Sequence, residues 1–163
     1  MGNAATDEDN PLDDNIDADD PFFDGDLGQR SLKLLQEGYD VVYPSSRTYV
    51  GSVGFSLTSD VISRACALKQ SEDTEMMWYH VERIPDLRKV ELPVPDVQAA
   101  TIRLTLDYEE DYWLLLTVLR ILGPLAIRRE IEDLFLRNPD LHQINWFRNE
   151  EWKRGQEIKG EGW

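Results

Sequence analysis

The stretch from Ile102 to Pro124 constrains the fold more than any other. Ile102-Arg103-Leu104-Thr105-Leu106 alternates apolar and polar side chains with the period of a β-strand. It runs directly into Asp107-Tyr108-Glu109-Glu110-Asp111. Asp107 is a good N-cap there, Glu110 stands three residues on as in a capping box, and three acids fall in the first helical turn. The helix that follows carries Trp113 to Leu116, Val118, Leu119, Ile121 and Leu122. It is apolar around most of its circumference, which predicts burial on much of its surface. Gly123-Pro124 ends it. A strand feeding a buried helix needs other layers to cover both, and this points to an α/β fold.

The rest of the chain repeats that order. Leu27, Leu32, Leu34 and Leu35 predict a helix over 27–37, with Gly38 as a natural residue just past its end. Tyr39-Asp40-Val41-Val42-Tyr43 reads as a short strand stopped by Pro44. A Ser/Gly-rich loop then occupies 45–56. Thr58 or Ser59 can cap a helix burying Val61, Ile62, Ala65, Cys66 and Leu68. A helix over 74–83, a strand over 87–92 and a rigid Pro93/Pro95 connector follow. Further helices are expected at 127–136 and after Asn138-Pro139, before a charged tail bearing tryptophan. No internal repeat is visible. The expectation is an acidic, disordered leader at 1–14 and one α/β domain over 15–163.

Charge separates the two parts. The chain has 163 residues and a net charge of -15, yet residues 1–26 hold ten acids and no Lys or Arg. The remaining 137 residues carry 22 acids and 17 bases. Such acidity argues against nucleic acid or an anionic membrane surface as the main partner, since both would be repelled. One cysteine, Cys66, excludes an internal disulfide and fits a reducing compartment. No apolar run approaches the roughly 20 residues that span a bilayer. A cytoplasmic chain without a membrane partner is expected.

Two arrangements of carboxylates could hold a cation. Asp13, Asn15, Asp17, Asp19 and Asp24 fall at positions 1, 3, 5, 7 and 12 of an EF-hand-like loop. Ala18 stands where that loop wants glycine, Pro21 interrupts it, and Asp replaces the terminal glutamate, so the calcium reading is disfavoured. Alternatively, Ile16-Asp17-Ala18-Asp19-Asp20-Pro21 is a strand end turning into the helix from Leu27. Asp107 ends its own strand in the same way. Carboxylates at the C-terminal ends of α/β strands are where ligands gather, and two of them suit one Mg²⁺ that also holds substrate phosphates. Helix capping alone would also account for Asp107.

These residues carry a resemblance. Asp19-Asp20-Pro21-Phe22-Phe23-Asp24, a helix, then Gly38-Tyr39-Asp40-Val41-Val42 resembles the middle of the cytidylyltransferase family of spore-coat and surface polysaccharide synthesis. Residues 103–111 are similar to that family's R-L-T-V-D-x-P-E-D motif, with Glu109 in place of its proline. Asn138-Pro139-Asp140-Leu141, Ile144-Asn145 and Arg148-Asn149-Glu150 resemble its C-terminal end. The likeness covers about residues 16–155. It implies a nucleotide-diphospho-sugar transferase-like (Rossmann-like) sheet with flanking helices, akin to the CMP-sugar synthetases. It implies CTP and a sugar as substrates, Mg²⁺ held by Asp19 and Asp107, and Asp20 as a further ligand or a support behind them. The family's first strand and its basic, glycine-containing phosphate loop have no counterpart in this sequence. The expectation is therefore the C-terminal half of that fold, with its N-terminal part missing. Such a half is inactive alone, and either a homodimer or a complementary chain completes it. The alternative is an interaction or oligomerisation module derived from the same fold.

The remaining signals point to no chemistry. Met1-Gly2-Asn3-Ala4-Ala5-Thr6 matches the myristoylation pattern, but one acyl chain followed by acids binds membranes poorly. His80 and His142 lack neighbours at zinc-ligand spacing. Cys66 reads as core rather than nucleophile, and Trp146, Phe147 and Trp152 read as packed against the domain.

Overall fold

The computed structural model describes residues 12–14, 18–68, 77–94 and 101–161. The architecture is mixed α/β, a small sheet with flanking helices. Its elements are β1 (Leu12–Asp14), α1 (Gly25–Gln36), β2 (Val41–Tyr43), β3 (Ser56–Thr58), α2 (Ser59–Leu68), α3 (Met77–Glu82) and β4 (Lys89–Glu91). They continue with α4 (Glu109–Leu122), α5 (Arg128–Arg137), a 3₁₀ turn (Pro139–Ile144) and α6 (Trp146–Glu161). The strands lie in the order β1-β3-β2-β4. β3 is antiparallel to both neighbours, while β2 and β4 run parallel in the register Val42 to Val90. Leu12–Asp14, which the charge pattern assigns to the leader, is thus an edge strand of the sheet.

Local chemistry sets the ends of α1. Asp24 caps it, its Oδ1 accepting from the N–H groups of Asp26 and Leu27 at 3.0 and 3.1 Å. At the other end Gly38 takes a φ of +94°, which lets its N–H return to Leu35 O at 2.9 Å. The chain then enters β2 directly, and the buried Val41 and Val42 face different clusters. Val42 packs with Leu27, Leu35, Val53 and Leu92 under α1. Val41 packs with Val61, Ala65, Val81 and Ile84 under α2 and α3. Each fully buried aliphatic of this size contributes about 1.5–3 kcal/mol by leaving water.

The third and largest cluster underlies the candidate site. Phe22, Tyr49, Ile102 and Leu104 meet Leu114, Leu115 and Val118 of α4 and Ile131 and Phe135 of α5. The expected strand over 102–106 is reduced to one parallel bridge, Val50 with Arg103. Its backbone is nonetheless paired. Val50 exchanges bonds with Ile102 O and Leu104 N–H at 3.0 and 2.8 Å, and Leu106 N–H then donates to Asp19 O at 3.0 Å. Ile102, Arg103, Leu104 and Thr105 are all buried, so the apolar/polar alternation does not mark a wet face. The segment is covered on both sides.

Three packing expectations are corrected. Cys66 is exposed, because α2 turns only Val61 and Ala65 fully inward. Phe147 and Trp152 are exposed too, and Trp146 is half-buried, because the apolar residues of α6 form no continuous stripe to face the core. Finally, α4 is not covered around its circumference. Trp113 and Tyr112 are 54% and 49% exposed, and Leu119 and Ile121 are also open. The myristoylation pattern at 1–6, Asn15, Asp17 and Pro95 lie outside the described residues.

Candidate functional site

Arg103 organises the site. An arginine in an apolar segment cannot be buried without an anion, and here it is 1% exposed. Its partner is Asp111, which is fully buried. The guanidinium engages both carboxylate oxygens, Nε to Oδ1 at 3.0 Å and Nη2 to Oδ2 at 3.1 Å. Such a two-pronged pair fixes orientation as well as charge. Asn145 closes the network, its Nδ2 donating to Asp111 Oδ1 at 2.8 Å and to Arg103 O at 2.9 Å. Asp111 Oδ2 also accepts the N–H groups of Asp107 and Tyr108, both at 3.0 Å.

That last pair of bonds corrects the expected helix start. Tyr108, not Asp107, is the N-cap of α4, and Asp111 supplies the capping carboxylate instead of Glu110. The box is displaced by one residue because Arg103 draws Asp111 inward, which leaves Glu110 on the outer side. Glu110 there meets Arg148 of α6 through two bonds of 2.9 and 3.0 Å. Hydrogen bonding to Arg148 holds the Glu110 carboxyl below its ordinary range. The Arg148 guanidinium also lies 4.9 Å from the centre of the Tyr108 ring.

Asp107, freed from capping, turns its carboxylate to the same arginine. Arg103 Nη2 donates to Asp107 Oδ2 at 2.5 Å, and the Asp107 side chain remains 30% exposed. Its neighbour Leu106 is bonded to Asp19 through the backbone. The segments carrying Asp19 and Asp107 therefore lie side by side, with both carboxyl groups partly open to water. Asp20 comes close to Gly51. A Cβ on Gly51 would stand 3.0 Å from Asp20 Oδ1 and 2.5 Å from Leu104 O, and Gly51 has a φ of +87°. Only glycine fits there, and it lets the 19–20 turn close over the chain.

Two aspartates on adjacent segments, one oriented by an arginine, suit Mg²⁺ that arrives with substrate phosphates, which needs only one or two protein carboxylates. They do not form an all-protein cage. Among the described residues no group of three or more His, Cys, Asp and Glu side chains is placed to hold a metal ion. The EF-hand alternative loses Asp24, whose carboxylate both caps α1 and pairs with Arg128 Nε at 2.7 Å. His80 is buried in α3 and His142 lies in the 3₁₀ turn, each remote in sequence from the aspartates.

A second polar cluster lies across the same core. Arg128 of α5 bridges Asp24 and Glu132, the latter at 3.6 Å. Burial pushes the Glu132 carboxyl up, against the opposing pull of Arg128. The buried Tyr49 hydroxyl donates to Phe22 O at 3.2 Å, and burial, helped by Asp24 and Glu132, raises its pKa well above the ordinary phenol value.

Sequence reasoning gave no role to Arg103, Asp111, Asn145 or Arg128. The signal for the first two was available: an arginine inside an apolar run, with acids four and eight residues on. No matching family model, curated protein or solved structure accompanies the chain.

Proposed function

We propose that this chain serves Mg²⁺-dependent nucleotidyl transfer from CTP to a sugar, as a cytidylyltransferase-like protein of CMP-sugar or polysaccharide synthesis. The observation that carries the reading is the junction of two aspartate segments, Leu106 N–H on Asp19 O, beside an Asp107 held by Arg103. Asp19 and Asp107 would hold the metal, and Asp20 would support them from the turn over Gly51. Bound there, Mg²⁺ would neutralise phosphate charge while a sugar oxygen bonds to the α-phosphorus and pyrophosphate departs. The residues of the chain do the positioning. Arg103 keeps the Asp107 carboxylate aimed, and Asp111 with Asn145 keeps Arg103 in place. The mixed sheet would then be part of a nucleotide-diphospho-sugar transferase-like (Rossmann-like) fold, completed by a phosphate-binding segment, and the protein would act in the cytoplasm.

Calorimetric titration of CTP with Mg²⁺ tests this. Asp19→Ala and Asp107→Ala should each weaken binding by about tenfold or more, the order seen when a metal site loses a ligand or its support. Heat unchanged by both substitutions would overturn the metal assignment. Absence of heat from the parent chain favours the second reading, a non-catalytic interaction or oligomerisation module derived from that fold. The apolar residues that α4 leaves exposed support that reading specifically, with a homodimer or a complementary chain as the assembly.

A further inference from the structure

The outer face of α4 has a pattern that its own chain uses only in part, through Trp113 Nε1 donating to Glu109 Oε1 at 3.4 Å. At 3.6 residues per turn, Glu109, Trp113, Leu116 and Arg120 recur at i, i+4, i+7 and i+11 and share one stripe. Glu109, Trp113 and Arg120 are exposed and Leu116 is half-buried, whereas Asp111, Leu114, Leu115 and Val118 face inward. The stripe has an acid at its start, two large apolar side chains in its middle and a base at its end. Arg120 makes no ion pair among the described residues. Beside it, Pro21, Phe22, Leu106, Tyr112, Leu116 and Leu119 line an open apolar groove of about 250 Å³.

Such a stripe is complementary to itself when reversed. An antiparallel copy placed about a two-fold axis between residues 114 and 115 sets Glu109 against Arg120 of the second copy, and Arg120 against its Glu109. The same register sets Trp113 against Leu116 of the second copy. One geometric operation therefore satisfies both charges and both apolar residues, as an isologous interface requires.

We propose that the chain forms a homodimer through α4, with antiparallel helices, Trp113 seated on Leu116 of the second copy and two symmetric Glu109–Arg120 pairs. This goes beyond the nucleotidyl-transfer reading and does not rest on it: the dimer is read from mass, the active site from CTP heat.

Sedimentation equilibrium of the full chain, from about 1 to 200 μM, provides the test. The parent chain should self-associate to a dimer and no further, because the symmetry closes. Glu109→Arg or Arg120→Glu alone should weaken association at least tenfold, since each creates two like-charge contacts. Glu109→Arg combined with Arg120→Glu should return the dissociation constant to within about threefold of the parent, because the swapped pair is complementary again. Trp113→Lys should abolish the dimer with the circular dichroism spectrum unchanged. A parent chain monomeric throughout that range overturns the proposal, whatever else the face binds. A dimer insensitive to the single reversals, or one not rescued by the double reversal, overturns the register and with it the α4 interface.

Discussion

Two arginine-centred clusters flank the same hydrophobic core and differ in how they are closed. Arg103 is sealed, 1% exposed, and every charged oxygen of Asp111 is bonded. Arg128 is half-buried, 19% exposed, between an Asp24 carboxylate 8% exposed and a Glu132 whose Oε1 has only the longer contact to Arg128. Both use one arginine to tie a helix start to another segment, 8 residues away at Arg103 and 104 at Arg128. The difference teaches that enclosure, rather than the count of ion pairs, sets what each is worth. A sealed arginine left alone strands its charge away from water, whereas a partly exposed one can still turn toward solvent.

The sharpest way to break the comparison is Asp111→Ala. It removes the buried partner of Arg103, leaving only the partly exposed Asp107, and removes the α4 capping carboxylate, so a loss of about 3 kcal/mol is expected in urea unfolding. A loss under about 1 kcal/mol would mean that water reaches Arg103 and that the two clusters are alike. Next in size is Asp24→Ala. It removes the cap of α1 and the contact with Arg128, and should cost about 1–2 kcal/mol. Asp24→Asn, which keeps the capping oxygen, should recover most of that.

The smallest effect sharpens the comparison through pH. Burial raises the folded pKa of Glu132, so its proton favours the folded state. The contribution is complete below the unfolded value near 4.3 and is lost as pH rises through the higher folded value. Glu132→Gln should therefore be more stable than the parent at pH 7, by a few tenths of a kcal/mol given the partial exposure. The gap should close as pH falls toward 4, and a gap that widens there would reverse the assignment.

The sequence made the helices more legible than the sheet. Asp24, Gly38 and Pro139 punctuate helices locally, so α1, α4, α5 and the 3₁₀ turn stand close to where the residue pattern puts them. Strand pairing depends on partners far along the chain, and the run at 102–106 shows the consequence. Its alternation is real, but Arg103 points to a buried carboxylate and not to water, so a period-two pattern does not separate inside from outside. Asp19 and Asp107 stand out in the sequence as acids at the ends of expected strands, whereas Asp19 lies in a turn and Asp107 follows a segment with one bridge. Their adjacency through Leu106 does not stand out, because it is a backbone bond between segments that no local rule connects. Asp111 was overlooked for the opposite reason, since an acid in the first turn of a helix is ordinarily accounted for by the helix itself.

The bond from Arg128 to Asp24 spans 104 residues, that from Asn145 to Arg103 spans 42, and β4 joins β2 across a similar stretch. Contacts of such long range slow folding, because chain entropy is lost before the contacts return anything. During synthesis, at about 5–20 residues per second, α1 is out of the ribosome several seconds before the arginine that anchors its start. The N-terminal segment must therefore wait for the C-terminal one.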